Sequence, residues 1–174
     1  MRADNPDLVT VVGIGAGGWP DLGGTPQRAL AAAPVIFGSA RQLDLLPPEV
    51  TGERVAWPSP LLPALPGLLD THRRPGRCVL ASGDPMWHGI GATLVRLLGA
   101  DRVRVLPHPS SVSLAAARLG WPLAGTEVVS LVTAGPAVLR RVLAPGRRVL
   151  VLARDADTAA EVAAELTAAG HGSA

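Results

Sequence analysis

Short apolar runs alternate along this chain with amphipathic stretches and with loops rich in Gly and Pro, and that alternation predicts strands and helices in turn. Leu8 to Val12 is rich in β-branched residues and stops at Gly13, which predicts a first buried strand. A short helix over Gln27 to Ala33 follows, with Thr25 as its N-cap and Pro26 as its first helical residue. Val35 to Phe37 predicts a second strand, and Ser39 caps a helix over Ala40 to Leu46 that Pro47-Pro48 stops. Arg54 to Trp57 is a weaker strand. Prolines punctuate residues 58–66, and Leu68 to Arg74 reads as a helix end. Cys78 to Ala81 is the central strand, followed by a helix over Ala92 to Leu98, a strand over Val103 to Leu106 and a helix over Val112 to Leu119 that Gly120 ends.

Trp121-Pro122-Leu123-Ala124-Gly125 marks a seam, after which the alternation restarts. A strand is expected over Val128 to Val132, a helix over Pro136 to Leu143, a strand over Arg148 to Leu152 and a helix over Thr158 to Ala169. Strand-helix alternation on both sides of the seam predicts an α/β protein of two small lobes, 1–120 and 121–174, with a ligand cleft between them.

Composition narrows the function. Of 174 residues 48% are hydrophobic and 17% charged, the balance of a folded globular protein. No apolar run approaches the roughly 18 residues of a membrane span, and residues 1–13 lack the basic-then-apolar layout of a secretory signal. The cytoplasm is therefore the expected compartment. The single cysteine, Cys78, lies inside an apolar strand, which predicts a buried, inert thiol. His72, His88, His108 and His171 have no metal-ligand spacing, so no metal is expected. All 16 basic side chains are Arg, yet the formal net charge is only +2. Doublets such as Arg73-Arg74, Arg140-Arg141 and Arg147-Arg148 read as solvated surface. With one Phe, no Tyr and no basic-aromatic stripe, the chain gives little support to nucleic-acid binding.

Three loops carry the chemistry. Gly13-Ile14-Gly15-Ala16-Gly17-Gly18 matches G-x-G-x-x-G literally, but 19–24 prolong the loop before any helix signal, and the next strand ends at Gly38-Ser39 without a carboxylate. A dinucleotide site needs both features, so that reading falls and a long glycine-rich loop at the carboxyl end of strand one remains. Ser82-Gly83-Asp84-Pro85 occupies the same position after the central strand, where open α/β sheets bind ligands. Pro107-His108-Pro109-Ser110-Ser111 leads into an alanine-rich helix, and Ser110 or Ser111 is placed to cap it or to meet a ligand.

In this order the three loops resemble those of the tetrapyrrole methylases, S-adenosylmethionine-dependent enzymes that methylate uroporphyrinogen and corrin precursors. Gly38-Ser39-Ala40-Arg41-Gln42-Leu43 and the segment Ser113 to Trp121 are most similar to the precorrin C5-methyltransferase branch of cobalamin synthesis, which also occurs as the N-terminal half of a bifunctional precorrin-6Y C5,15-methyltransferase. The sequence departs from the family pattern at Ala16, where a proline is usual, and at Val132-Thr133-Ala134, where this branch often has His-Gly-Arg.

The resemblance implies a class III methyltransferase fold with S-adenosylmethionine held in a cleft between the lobes. It assigns Gly15, Ser82, Gly83, Asp84 and Trp87, with Ser110 and Ser111, to that cofactor. Thr133 and the Asp157-Thr158 turn of the second lobe are assigned to its adenine side, and Arg41 to the carboxylates of a tetrapyrrole substrate. It further implies a homodimer, an incomplete second lobe, and a separate C15-methyltransferase/decarboxylase half as a partner activity. Two other readings compete: a sister methylase with another acceptor, and a non-catalytic metabolite-binding relic of the fold.

Overall fold

A computed structural model describes residues 7–172. They form two compact units that divide between Ser110 and Ser111. The expected seam lay ten residues later, after Gly120.

The first unit is a five-stranded parallel sheet in the order β3-β2-β4-β1-β5. Its strands are β1 (Val9–Ile14), β2 (Val35–Gly38), β3 (Glu53–Ala56), β4 (Cys78–Ser82) and β5 (Val103–Leu106). Connecting them are α1 (Gly24–Ala31), α2 (Ala40–Asp44), α3 (Leu61–Thr71) and α4 (Ile90–Leu98). Both faces of the sheet are covered, which is why β1, β2 and most of β4 are buried without interruption rather than alternating. Alternate residues serve opposite faces. Val12, Ile14, Cys78 and Leu80 pack with Leu30 and Leu43, whereas Val9, Val11, Val79 and Ala81 pack with Leu65, Leu69 and Leu94.

The second unit holds α5 (Ser111–Leu119), α6 (Thr158–Ala168) and a parallel pair, β6 (Thr126–Ser130) with β7 (Arg148–Leu152). Val129, Leu131 and Leu139 form its buried core. Its arginine doublets are tied down on the surface: Arg147 bonds Glu127, Arg140 pairs with Glu165, and Arg148 lies 5.5 Å from the centroid of the Trp121 ring.

Local chemistry explains where elements begin and end. Ser39 caps α2 through a full capping box, its hydroxyl accepting from Gln42 N at 3.3 Å while Gln42 Oε1 accepts from Ser39 N at 2.8 Å. At the other end of α2, Arg54 from β3 donates to the carbonyls of Leu43, Leu46 and Pro47.

Several expected boundaries are corrected. The N-cap of α1 is Gly23, not Thr25; Thr25 is already helical and accepts from Arg28 Nη2. Helix α3 begins at Leu61, before the prolines expected to break it. Pro63 sits in the first turn, where no N–H is needed, and only Pro66 removes an internal donor. Helix α4 starts at Ile90, two residues early, and Gly91 N in its first turn donates back to Pro85 O. Strand β6 ends at Ser130, whose hydroxyl accepts from Val132 N and turns the chain. The segment Pro136–Arg141 is a 3-10 helix rather than an α-helix. No helix among the described residues is long and apolar enough to cross a membrane.

Candidate functional site

In the first unit the loops after β1, β4 and β5 lie against one another at the carboxyl edge of the sheet. Pairing of β1 with both β4 and β5 makes them neighbours, and glycine lets them touch. Gly83 N donates to Ile14 O at 3.0 Å. A Cβ on Gly13 would stand 2.1 Å from Gly83 O and 2.7 Å from His108 N. Gly83 itself has φ +59°, and a Cβ there would lie 3.2 Å from Ser110 Cα. The three sequence motifs are thus one backbone-lined cradle, too close-packed at Gly13 for any side chain.

Gly15 continues the cradle beneath the His108 imidazole, whose Cε1 would be 2.6 Å from a Cβ at that position. His108 Nδ1 lies 3.3 Å from Pro109 O. Further along the first loop the Asp21 carboxylate occupies the space of a Gly17 side chain. Neither residue is assigned a role by the sequence. His108 stands between two prolines that draw the attention, and Asp21 falls beyond the glycine run, where its spacing from Gly17 is the only signal.

Asp84 shapes the loop after β4. Its Oδ1 accepts from Met86 N at 2.9 Å, and Trp87 N donates to Asp84 O at 3.1 Å, so the residue folds the chain back on itself as an Asx-turn. The turn projects Met86 and Trp87 outward, each with 47% of its surface exposed. Gly89 and Gly91 then pack on the Pro85 backbone, where added Cβ atoms would stand 2.6 and 2.7 Å from Pro85 O.

Ser82 is linked to α2. Gln42, 7% exposed, uses its remaining amide hydrogens to donate from Nε2 to Ser82 Oγ at 3.0 Å. This ties the end of β4 to α2, a connection that no local sequence pattern announces. Beside it opens a cavity of about 310 Å³ lined by Ser39, Gln42, Trp57, Ser82, His88 and Ile90, among others. That volume is at the small end for ligand sites. Arg41 projects from α2 into solvent.

The remaining expected residues lie in the second unit, apart from Ser110, which ends the first. Ser111 and Thr133 are exposed, as is Asp157. Thr158 is 1% exposed and its hydroxyl is committed: it donates to Asp155 Oδ1 at 2.9 Å and accepts from the backbone N–H groups of Arg154 and Asp155. Asp155 rather than Asp157 anchors the start of α6, and the hydrogen bonds from Arg154 and Thr158 hold its carboxyl below the ordinary carboxylate value.

Cys78 opens β4, at the other end of the strand from the loops, and burial pushes its thiol up from 9.0 to about 12. It has no nucleophilic character at neutral pH. Among the described residues no cluster of His, Cys, Asp or Glu could hold a metal ion.

The family model described as Tetrapyrrole (Corrin/Porphyrin) Methylases matches residues 8–173. A precorrin-6Y C(5,15)-methyltransferase [decarboxylating] of Mycobacterium tuberculosis is 49% identical over 170 residues, 95% of this chain but 41% of that protein. A cobalt-precorrin-7 C(5)-methyltransferase of Salmonella typhimurium is 32% identical over 165 residues, 95% of this chain and 80% of that one. The chain thus spans about two fifths of the first relative and four fifths of the second. Among solved structures, a cobalamin-biosynthesis precorrin-6Y methylase from Archaeoglobus fulgidus superposes with a TM-score of 0.65 at 26% identity, covering 84% of this chain and 73% of that one. A uroporphyrin-III C-methyltransferase from Thermus thermophilus, complexed with S-adenosylhomocysteine, gives 0.50 at 30% identity, covering 71% and 55%.

Proposed function

Since the chain belongs to the tetrapyrrole (corrin/porphyrin) methylase family, we propose that it transfers a methyl group from S-adenosylmethionine to carbon 5 of a corrin precursor in cobalamin biosynthesis. The observation that carries this reading is the contact of three separate loops, after β1, β4 and β5, in one glycine-lined cradle. The C5 position is supported by the activities for which the Mycobacterium and Salmonella relatives are named. The cofactor is supported by the S-adenosylhomocysteine in the Thermus relative's structure.

The cradle fits such a cofactor. Gly13, Gly15 and Gly83 let a ligand approach main chain directly. We assign Gly15, Ser82, Gly83 and Asp84 to the methionine and ribose portions, with Trp87 and Ser110 flanking them. Ser82 Oγ accepts from Gln42, which leaves its hydroxyl proton to donate to a ligand. Asp84 acts mainly by fixing the turn that presents this loop. Ser111, Thr133 and Asp157 are assigned to the cofactor from the second unit. The role of Thr158 is to hold the turn before α6, because its side chain is buried and spent.

The cofactor supplies an activated methyl group. When bound, it would give that methyl group to the ring carbon, with the carbon–sulfur bond broken, S-adenosylhomocysteine released and a ring proton lost in exchange. The chain's own contribution is to orient the two reactants and exclude water, for which no metal or strong nucleophile is required. Arg41, exposed on α2, is assigned to the acetate and propionate carboxylates of the substrate through charge-assisted hydrogen bonds. Decarboxylation and C15 methylation, which the Mycobacterium relative's name also carries, we assign to the length of that protein lying outside the match.

The test is to incubate the chain with methyl-labelled S-adenosylmethionine and either a precorrin or its cobalt form, and to locate the label by NMR. Label at C5 supports the assignment and identifies the acceptor. Label at another carbon makes the chain a sister methylase, and cofactor binding without transfer makes it a binding relic.

A further inference from the structure

A second cavity lies at the opposite, amino-terminal edge of the first unit's sheet. Arg77 directly precedes β4, Arg102 directly precedes β5, and Asp7 lies two residues before β1. With the carboxyl-terminal turns of α3 and α4, Arg77 and Arg102 surround a space of about 270 Å³ lined by Leu69, Asp70, Arg73, Arg77, Leu98 and Arg102, among others.

The polar groups here do not balance. Arg73 grips Asp7 in a two-point contact, Nε to Oδ1 at 2.9 Å and Nη2 to Oδ2 at 2.7 Å. Arg77 is 2% exposed and donates from Nη1 to Leu69 O at 2.8 Å, closing the end of α3. Its Nε is buried and has no hydrogen-bond partner among the described residues, and the same holds for Nε of Arg102. Buried polar groups are paired in the great majority of cases, and a buried guanidinium N–H without an acceptor is costly. Among the described residues, the guanidinium groups of Arg73, Arg77 and Arg102 and the carboxylate of Asp70 line this cavity, with Asp7 close by. Burial lowers the Arg77 pKa from its ordinary value, and the neighbouring charges of Arg102 and Arg73 add to that effect while Asp7 and Asp70 oppose it. Among the described residues, neither Nε meets an acceptor.

We propose that this cavity is a binding site for a compact oxyanion, a phosphate or carboxylate group of a small metabolite, held by the guanidinium groups of Arg73, Arg77 and Arg102 that line it. Guanidinium groups suit this role because their planar N–H donors match oxyanion geometry. The site is at the other edge of the sheet from the glycine cradle, and the inference does not rest on the methyltransferase reading.

The test is calorimetric and thermal titration of the full chain with inorganic phosphate and with succinate, sodium chloride holding the ionic strength constant. One of the two anions should bind saturably at one site per chain and raise the melting temperature. Whichever binds tighter tells a phosphate from a carboxylate ligand. Arg102→Gln should weaken that binding about ten-fold or more, while S-adenosylhomocysteine affinity stays within about two-fold because the sites are distant. Arg102→Lys keeps charge and bulk but lacks Nε, and should weaken the anion similarly if Arg102→Gln proves unfolded by circular dichroism. Arg28→Gln, at an exposed arginine on α1, should leave anion binding unchanged. Stabilisation by neither anion beyond that of chloride would overturn the proposal, as would unchanged affinity in the folded Arg102 variant.

Discussion

At Gly13 a single hydrogen atom decides whether three loops can meet. A methyl group there would stand 2.1 Å from a backbone oxygen, which cannot rotate away as a side chain could. Gly13→Ala should therefore destabilise the chain by at least about 2 kcal/mol in urea unfolding and abolish cofactor affinity. Gly83→Ala faces a milder obstacle, a φ of +59° and a 3.2 Å contact, and should cost about 1–2 kcal/mol. The sequence made these glycines conspicuous without saying which of them was indispensable, because that depends on strands β4 and β5, which are distant in sequence. Cys78 was legible as inert from its apolar run alone. With its thiol raised from 9.0 to about 12 in the folded chain, only the unfolded chain ionises between those values. Its contribution to stability is thus complete below pH 9.0 and is lost as pH rises toward 12. A thiol reagent at pH 8 should leave the folded protein unmodified and label it only after denaturation; prompt labelling of the native chain would contradict the buried placement.

Individual elements were read most accurately where a local signal and tertiary packing agreed. Ser39 followed by Gln42 three residues later specifies the start of α2, and the capping box is present in full. The further reach of Gln42 to Ser82 was invisible, since it depends on β2 and β4 being adjacent in the sheet. Gln42→Ala should cost about 1–2 kcal/mol by removing both contacts, and it should also weaken cofactor binding. Gln42→Glu, which keeps the acceptor for Ser39 N but loses the donor to Ser82, separates the two effects. Helix α3 ran against its local signals, because Leu65 and Leu69 bury themselves on the sheet and outweigh the prolines. Pro66 is exposed and leaves that helix one internal N–H donor short. Pro66→Ala should raise stability by about 1 kcal/mol or more, read as a higher urea midpoint at unchanged m-value.

Over the whole chain, strand-helix alternation was sufficient to predict an α/β fold, and the ordered loops were sufficient to suggest the family. The division between units was less legible. Ser111 to Leu119 continues an apparently regular alternation, and its grouping with the second unit follows from packing against β7 that no local pattern encodes. The candidate site divides in the same way: the first-unit loops were legible as motifs, whereas His108 over Gly15 and Asp21 over Gly17 depend on how the loops fold. The central claim is that the Gly83-Asp84 loop, fixed by its Asx-turn and packed on the loops after β1 and β5, holds S-adenosylmethionine. The most direct measurement is calorimetric titration of S-adenosylhomocysteine into the chain and into Asp84→Ala. The account predicts one site per chain with a micromolar dissociation constant, about 8 kcal/mol of binding free energy, weakened about ten-fold or more in the variant. No binding to the unaltered chain, or equal affinity in both proteins, would contradict it.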